Sequence, residues 1–402
     1  MTGPSIHMSM FFVVLLFFVT SNLSRAIENQ TNELDKLSRI KAQLEKINKP
    51  AVKTINSPDG DIIDCVLFHD QPAFDLTELK DQKTLELPEW PMGFNNNEDT
   101  TIGEESIQLW SASGEECPEG TVPILRTTEQ HLLRLRESNI TRFGQKDAVK
   151  SGHEHAIAYL RGEQYYGART DINVWAPKTT PSEFSLAQVW VLSGTFEEND
   201  LNSVEAGWQV NNIMYENKNP RLFTYWTRDA YQSTGCYNTL CSGFVQTNKR
   251  IAVGAAIAPI SSYNGKQFDI NLMIWKDIRT KNWWLSVGSG IIIGYWPSSL
   301  FTRLKDSADM MQFGGEVENF SQNGHTTTYM GSGHFAERGF RKAAYFRNLY
   351  FVNSINQLFP IRASSLKKYA DNRNCYDINI YLGKNYGTHF FYGGPGKNPR
   401  CL

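Results

Sequence analysis

Two short stretches of the sequence each place an acidic side chain in a strand-like setting. Residues 203–210, Ser-Val-Glu-Ala-Gly-Trp-Gln-Val, alternate in type, so a β-strand would put Glu205 on the face that core packing does not need. Residues 312–318, Gln-Phe-Gly-Gly-Glu-Val-Glu, carry Glu316 beside a glycine pair that would let a backbone or a ligand come close. We therefore take Glu205 and Glu316 as a candidate pair of reacting carboxylates.

Two carboxylates brought together on one sheet can share a proton, because repulsion prevents both from ionising at once. The ionised member could then accept a proton from water, while the protonated member donates one to a substrate oxygen or a leaving nitrogen. Such a pair predicts hydrolysis by general acid–base catalysis. Glu318 shares a strand face with Glu316 and competes with it for this role.

Other kinds of reactive site find less support in the sequence. The stretch His153-Glu154-His155 lacks the third ligand of a metal site, and no His-Glu-x-x-His motif occurs, so a surface strand is the better interpretation. No Gly-x-Ser-x-Gly motif marks a nucleophilic serine. The even number of cysteines favours disulfides over a free thiol. We expect neither a metal nor a cofactor.

Aromatic and amide side chains could line a substrate groove near the two acids, although core packing is the commoner role of such aromatic residues. Residues 223–226, Phe-Thr-Tyr-Trp, form an aromatic strand, and Gln188 and Trp190 alternate onto one face of another strand. The predicted substrate-binding residues are Gln188, Trp190, Trp208 and Tyr225.

Length, charge and the N-terminus limit the class of protein. The 402 residues are 41% hydrophobic and 20% charged, enough for one large and one smaller domain. The net charge of −2 offers no basic surface for nucleic acid. An apolar run from Met10 to Val19, followed by Ser24-Arg25-Ala26, predicts a signal peptide cleaved after Ala26. We expect a secreted, monomeric protein of the extracellular space, cell wall or vacuole, with no membrane partner after signal removal.

Export favours disulfide bonds among the six cysteines. Six cysteines allow fifteen connectivities, so local spacing must decide among them. Local spacing favours three pairs, namely Cys236 with Cys241, Cys375 with Cys401, and Cys65 with Cys117. The same compartment suits N-glycosylation of the three sequons, at Asn29, Asn139 and Asn319.

The chain changes character near residue 150. Apolar residues between Leu34 and Ile47 recur at helical spacing, and Thr128-Glu129 opens a second helix. The polar stretch from Thr141 to Gly152 indicates a domain boundary and a candidate processing site. We predict a signal peptide over 1–26, a small α+β pro-domain over 27–150 and a catalytic domain over 151–402. The strands predicted before the boundary are Asp61–Phe68, Ser106–Trp110 and Thr121–Arg126.

Short strand candidates separated by turn residues follow one another beyond the boundary. This spacing is typical of an antiparallel β-sandwich or jelly roll, so the predicted fold class is mainly β. The predicted strands are Val174-Trp175, Leu186–Leu192, Ser203–Asn211, Leu222–Thr227, Ile251–Ile257, Phe268–Trp275, Trp283–Val287, Gly290–Tyr295 and Tyr345–Val352.

Several longer motifs occur in a definite order, namely Gly60–Val66, Gly120–Arg126, Leu222–Thr227, Thr234–Asn238, Cys241–Phe244 and Met330–Phe335. In this order they resemble the plant neprosin family, over nearly the whole exported chain, as an activation peptide followed by a neprosin domain. The resemblance implies a secreted glutamic peptidase of β-sandwich form, made as an inactive zymogen. It also implies cleavage after proline at acidic pH, with proteins or peptides, including proline-rich ones, as substrates.

The family's functional residues find counterparts in this sequence. Its two catalytic glutamates match Glu205 in Val-Glu-Ala-Gly-Trp and Glu316 in Gly-Gly-Glu-Val. Its two catalytic-domain disulfides match Cys236 with Cys241 and Cys375 with Cys401. Two alternatives remain, a β-sandwich glycoside hydrolase with paired carboxylates and a non-catalytic cell-wall or carbohydrate-binding protein. Assays on peptide and on polysaccharide distinguish them.

Overall fold

The computed structural model describes residues 35–79 without 36, 86–94, 107–137, and 152–402 without 216, 322–323 and 384–385. The chain divides into two units, residues 1–48 and 49–402. The described part of the first unit is a helix, α1, at residues 37–47, as the helical spacing predicts. The predicted signal peptide, the Asn29 and Asn139 sequons and the boundary stretch up to residue 151 lie outside the described residues. Within the described residues, no helix is long and apolar enough to span a membrane.

The N-terminal part of the second unit is a small α+β layer. Strands β1 (Ala51–Asn56), β2 (Ile62–Leu67) and β3 (Thr121–Leu125) form an antiparallel sheet in that order. Helix α2 (Glu129–Glu137) follows β3, as predicted. Short 3-10 helices lie at Phe68–Asp70, Pro72–Asp75 and Thr77–Leu79 in this layer, and at Ser298–Leu300 and Ala336–Arg338 further along the chain.

The regular secondary structure after residue 152 is almost entirely antiparallel β-strand, which confirms the predicted fold class. They are β4 His153–Tyr165, β5 Gly167–Asn173, β6 Phe184–Ser193, β7 Asn202–Asn211, β8 Arg221–Thr227, β9 Cys236–Tyr237, β10 Val245–Gln246, β11 Asp269–Lys276, β12 Trp283–Val287, β13 Ile291–Trp296, β14 Ala308–Glu318, β15 Ala344–Val352, β16 Leu358–Pro360, β17 Lys367–Ala370, β18 Asp377–Gly383 and β19 Gly387–Gly393.

These strands build two sheets. The seven-stranded sheet has the order β17-β4-β14-β6-β7-β8-β9. The nine-stranded sheet has the order β10-β13-β12-β11-β5-β15-β19-β18, with β16 paired to β15. One buried cluster joins apolar side chains of both sheets, for example Val204 and Trp208 of β7 with Leu272 of β11. The sheets therefore pack face to face, and their outer faces point in opposite directions.

Three predicted strands are wrong. Residues 107–110 form turns, because the Gln108 amide bonds the backbone of Ala252 in place of a strand partner. Residues 251–257 form turns and an isolated bridge around Gly254, whose φ of +95° does not fit a strand. Val174-Trp175 lies just beyond the end of β5.

Three disulfides join the predicted cysteine pairs, Cys65–Cys117, Cys236–Cys241 and Cys375–Cys401. The first closes within the N-terminal layer and the other two within the sandwich. The disulfide prediction is therefore confirmed.

The N-terminal layer is docked on the sandwich by buried polar contacts. The Arg221 guanidinium donates two hydrogen bonds of 2.8 Å to the Asp61 carboxylate, and both side chains are buried. The Tyr215 ring lies 4.3 Å from the same guanidinium. Gln71 and Gln246 exchange hydrogen bonds, from Gln246 N to Gln71 Oε1 and from Gln71 Nε2 to Gln246 O. Breaking such contacts would leave buried polar groups unpaired, so they hold the two parts together specifically.

Candidate active site

Strand register brings Glu205 and Glu316 to the same face of the seven-stranded sheet. Glu205 of β7 pairs with Trp190 of β6, and Glu316 of β14 pairs with Leu186 on the other side of β6. Positions 186 and 190 are an even number of residues apart, so their partners share a face. That face is the outer one, because Val204 and Ala206, the neighbours of Glu205 in β7, lie in the core between the sheets.

Gln188 lies on β6 midway between the two acidic positions. Its Nε2 donates to Glu316 Oε2 at 3.5 Å. Its side chain is fully buried, and none of the described residues donates a hydrogen bond to its Oε1. A buried acceptor of this kind is an available contact for a water molecule or for a substrate amide.

Glycines flank Gln188 on both adjoining strands. Gly207 of β7 and Gly314 of β14 are its register partners, so these strands place only backbone beside the amide. A Cβ at Gly207 would lie 2.0 Å from the Ala187 carbonyl oxygen, a distance no side chain can adopt. The Gly314-Gly315 pair allows close packing of the β4 backbone and of Met330. The sequence predicts that a backbone or a ligand comes close to this glycine pair. In the structure, the groups that come close are the β4 backbone and Met330.

Glu205 is completely buried and is held by hydroxyl groups. Its Oε1 accepts hydrogen bonds from Ser203 Oγ at 2.8 Å and from Tyr231 Oη at 2.7 Å. The Tyr231 ring stacks on Tyr225, with 5.8 Å between ring centroids, and on Phe196 at 6.0 Å. Tyr231, a loop residue with a φ of +63°, therefore lies over this face of the sheet and orients the Glu205 carboxylate.

Glu316 faces two imidazoles. His153 Nδ1 lies 2.6 Å from Glu316 Oε1, and His155 Nε2 lies 3.9 Å from Oε2. Both histidines are on β4, two residues apart and therefore on one face. With Gln188, they surround the Glu316 carboxylate with groups that can donate hydrogen bonds to it.

An acidic partner orients the second imidazole. Asp371 accepts hydrogen bonds from the backbone N–H of His155 at 2.7 Å and from Tyr369 Oη at 2.6 Å, and His155 Nδ1 lies 3.1 Å from the same carboxylate. Burial acts to raise the pKa of Asp371, but the hydrogen bonds from His155 and Tyr369 hold it below its ordinary value. Asp371 therefore stays ionised and fixes the ring of His155.

Tyr237 lies close enough to both acids to respond to their charge. Burial raises the pKa of this phenol well above its ordinary value, and the negative charges of the Glu316 and Glu205 carboxylates raise it further. The phenol is therefore a neutral hydrogen-bonding group at acidic and neutral pH. Tyr237 pairs across β9 and β8 with Tyr225, which is the register partner of Glu205.

Three of the four predicted substrate-binding residues lie on the face of the two acids. Trp190 and Tyr225 are register partners of Glu205, and Gln188 lies between the acids. The prediction for Trp208 is wrong. Its position is an odd number of residues from Glu205, so its ring enters the core, where its indole N–H donates to Asn173 O at 3.0 Å.

Several residues that surround the two acids cannot be identified from the sequence. Tyr231, Tyr237 and Asp371 carry no local signal, because long-range pairing and loop conformation bring them to the acids. Glu318, the competing acid, is also on this face, paired with His153 at the end of β14.

A group of possible metal ligands and a predicted glycosylation site lie outside the hydrogen-bonded surroundings of the two acids. Among the described residues, ligand atoms of His325, Cys375 and Cys401 lie within 4.8 Å of one another, but the two cysteines are joined in a disulfide, so this group does not form a thiolate site. At the Asn319 sequon, the amide nitrogen that a glycan would modify donates to Glu154 Oε1 at 2.9 Å. Glycosylation there stays a prediction.

Two family profiles match this chain. The profile of the Neprosin activation peptide matches residues 54–159, and the Neprosin profile matches residues 181–395. Among solved structures, scytalido-glutamic peptidase with a peptide-based transition state analog is 12% identical, covering 61% of this chain and 98% of that chain, with a TM-score of 0.34.

SCP-B, a member of the Eqolisin family of peptidases in complex with the tripeptide Ala-Ile-His, is 10% identical, covering 60% of this chain and 98% of that chain, with a TM-score of 0.32. These TM-scores are too low to assign a fold or an activity. The Neprosin profile alone spans more than half of the 402 residues. The chain therefore belongs to the neprosin family and is a peptidase with an activation peptide.

Proposed function

We propose that this protein is a secreted glutamic endopeptidase, made as a zymogen, that hydrolyses peptide bonds after proline at acidic pH. The proposal is supported chiefly by one observation. Glu205 and Glu316 share a sheet face on either side of Gln188, and both lie near Tyr237. Two carboxylates in one buried site are the arrangement that general acid–base hydrolysis needs.

The surroundings of the two acids support different roles. Glu316 lies among His153, His155 and Gln188, which can stabilise a negative charge, so it acts as the base that removes a proton from water. The water oxygen attacks the peptide carbonyl carbon. Glu205, enclosed by hydroxyl groups, acts as the acid and donates its proton to the leaving nitrogen as the C–N bond breaks. Return of a proton from Glu316 to Glu205 through solvent resets the pair.

The proposed acid requirement follows from the two roles, because Glu205 must hold a proton while Glu316 is ionised. Such a pair is active only between its two apparent pKa values, and a pH above the higher value removes the proton that the leaving amine needs. The precursor is proposed to be cut between Thr141 and His155, which separates the pro-domain over 27–150 from the catalytic domain over 151–402.

Digestion of a proline-containing peptide library tests the proposed function. The purified full-length chain is treated with acid and added to the library, and the products are identified by mass spectrometry. New C-termini at proline support the proposal. Release of oligosaccharide from a polysaccharide, with the peptides left intact, would establish the glycoside hydrolase alternative instead.

His153→Ala is expected to lower kcat/KM for peptide hydrolysis by about 10-fold, because it removes a hydrogen bond to a charged partner. His155→Ala should have a smaller effect, since its nitrogen lies 3.9 Å from the carboxylate. His334→Ala, at a partly buried histidine that packs against Tyr263, serves as the matched control. Equal rates for the His153 and His334 variants would show that the imidazole does not support Glu316.

A further inference from the structure

The outer face of the nine-stranded sheet, opposite the candidate active site, holds a segment of the activation peptide. Residues 86–94, Glu-Leu-Pro-Glu-Trp-Pro-Met-Gly-Phe, lie within the part of the chain that the activation-peptide profile matches. The Trp90 ring stacks between Trp275 at 4.6 Å and Phe94 at 4.3 Å. Trp275 belongs to an apolar cluster on this outer face, with Met273, Trp284 and Tyr295 among its other members. We call the surface under residues 86–94 the Trp275 groove.

The Trp275 groove binds the backbone of the segment. The Trp275 indole N–H donates to Glu89 O at 3.0 Å, and Glu89 N donates to Asp277 Oδ1 at 3.0 Å. Met92 pairs with the strand edge at residues 356–358, from Met92 N to Asn356 O at 2.7 Å and from Leu358 N to Met92 O at 2.9 Å. Recognition of this kind fits any extended peptide whose side chains the groove accepts.

Further donors bind carbonyl groups at the two ends of this stretch. Arg279 Nη2 donates to Leu87 O at 2.5 Å, and its guanidinium also pairs with the Glu89 carboxylate at 3.1 Å. Asn356 Nδ2 donates to Trp90 O at 3.3 Å. The groove therefore satisfies carbonyl groups along the segment with side chains that belong to the sandwich.

The side chains that face the groove are prolines and an aromatic ring. Pro88 and Pro91 are buried, whereas Leu87 and Met92 are 63% and 55% exposed. The prolines are three residues apart, the repeat of a polyproline II helix. The groove accepts hydrogen bonds from the backbone N–H groups of Glu89 and Met92. Proline has no backbone N–H group, and these contacts do not require one at Pro88 or Pro91.

We propose that the Trp275 groove is a second peptide-binding site of the processed enzyme, and that it binds extended Pro-x-x-Pro segments with an aromatic residue before the second proline. Removal of the activation peptide empties the groove and uncovers Trp275, which the segment now covers. A proline-rich substrate can then be held at this groove while another part of the same chain reaches the candidate active site. This inference rests on the proposed function for the removal of the pro-domain and for the substrate class.

A binding experiment that needs no hydrolysis tests the groove. A site-specific protease sequence is placed in each of the stretches 80–85 and 95–106 of the full-length chain, so that two cuts release segment 86–94 and leave the rest in place. After dialysis, a fluorescent peptide of residues 86–94 is added at neutral pH and its anisotropy is measured. We expect saturable binding of one peptide per chain. Retention of the released segment through dialysis also counts as binding, and exchange against the labelled peptide then measures it.

Matched variants locate that binding. A peptide with Trp90→Ala and a chain with Arg279→Ala are each expected to bind about 10-fold more weakly, since each loses contacts seen in the structure. Arg279 is a solvent-exposed side chain, so its replacement leaves the fold intact. Arg338→Ala, at an exposed arginine outside the groove, should bind like the unmodified chain. Absent binding, or equal binding of the Trp90→Ala peptide, would overturn the proposal.

A kinetic experiment separates this proposal from the proposed function. Acid-processed enzyme is given one fluorogenic proline peptide with and without a linked Leu-Pro-Glu-Trp-Pro tail. The tail is expected to raise kcat/KM by about 10-fold or more through effective concentration, and Arg279→Ala should remove this gain without changing turnover of the untailed peptide. Peptide binding without turnover would contradict the proposed function alone. Turnover without any effect of the tail would contradict the second site alone.

Discussion

Replacing either Glu205 or Glu316 with glutamine is expected to lower kcat for peptide hydrolysis at acidic pH by about 100-fold or more, because an amide cannot exchange the proton that general acid–base catalysis moves. The fold should persist. A glutamine at position 205 keeps an oxygen that accepts from Ser203 and Tyr231, and a glutamine at position 316 keeps one that can face His153. The measurement is the single-turnover rate of acid-processed enzyme, with thermal unfolding of each variant as the check on folding.

Glu318→Gln is the matched control for this prediction. Glu318 shares the strand and the face of Glu316 and is also buried, so its replacement tests whether any acid on this face would give the same loss. We expect a milder effect. A larger loss from Glu318→Gln than from Glu316→Gln would move the proposed base by two residues along β14.

Asp61→Ala is expected to weaken the attachment of the N-terminal layer strongly. It leaves the Arg221 guanidinium buried without its carboxylate partner, and breaking a buried ion pair in this way costs about 3–5 kcal/mol. We expect the precursor to unfold at lower temperature and to be processed at a higher pH than the unmodified chain. N-terminal sequencing of protein held at a series of pH values measures the processing, and the new terminus should fall between Thr141 and His155.

The control for Asp61 is an ion pair in the same interface that is exposed. Glu119→Ala removes the contact with Lys249 at 3.0 Å, where the glutamate is 90% exposed, and ion pairs exposed to solvent contribute little to stability. The Glu119 variant should be processed like the unmodified precursor. Identical behaviour of the Asp61 and Glu119 variants would show that the buried pair does not hold the pro-domain in place.

Glu116 lies in another contact between the N-terminal layer and the sandwich, and its charge depends on pH. Hydrogen bonds from Arg250 and Lys249 of the sandwich lower the pKa of Glu116 below its ordinary value of 4.5. A carboxylate with a lowered pKa stabilises the docked state at higher pH, and this contribution is lost as the pH falls through the lowered value. Protonation of Glu116 therefore favours release of the pro-domain in acid, in the direction that the zymogen proposal requires.

The sequence allowed the shared face of the site to be predicted in part. Alternation in residues 203–210 places Glu205 and Trp208 on opposite faces of one strand, and the structure agrees. The inclusion of Trp208 among the substrate-binding residues conflicted with this same alternation, and the structure corrects it. Alternation could not provide the order of the strands, because it does not say that β6 lies between β7 and β14.

The hydrogen bonds that orient the two acids and their neighbours could not be predicted, because they join distant parts of the chain. Tyr231 reaches Glu205 from a loop with a positive φ, and Asp371 reaches His155 across 216 residues of sequence. The histidine pair was predicted to lie on a surface strand. The strand is confirmed as part of β4, but the two rings face Glu316, because its partner strand is β14.

The central claim, catalysis by two glutamates, is tested most directly by the pH–rate profile of the acid-processed full-length chain on a proline-containing peptide. The profile is recorded with and without a metal chelator and with reagents that inactivate serine and cysteine peptidases. We expect a bell-shaped profile with an acidic optimum, unchanged by the chelator or the reagents, because the shared proton exists only between the two apparent pKa values of the pair. Full activity at about pH 8, well above the reference carboxyl pKa values, or loss of activity on chelation, would contradict the two-glutamate mechanism.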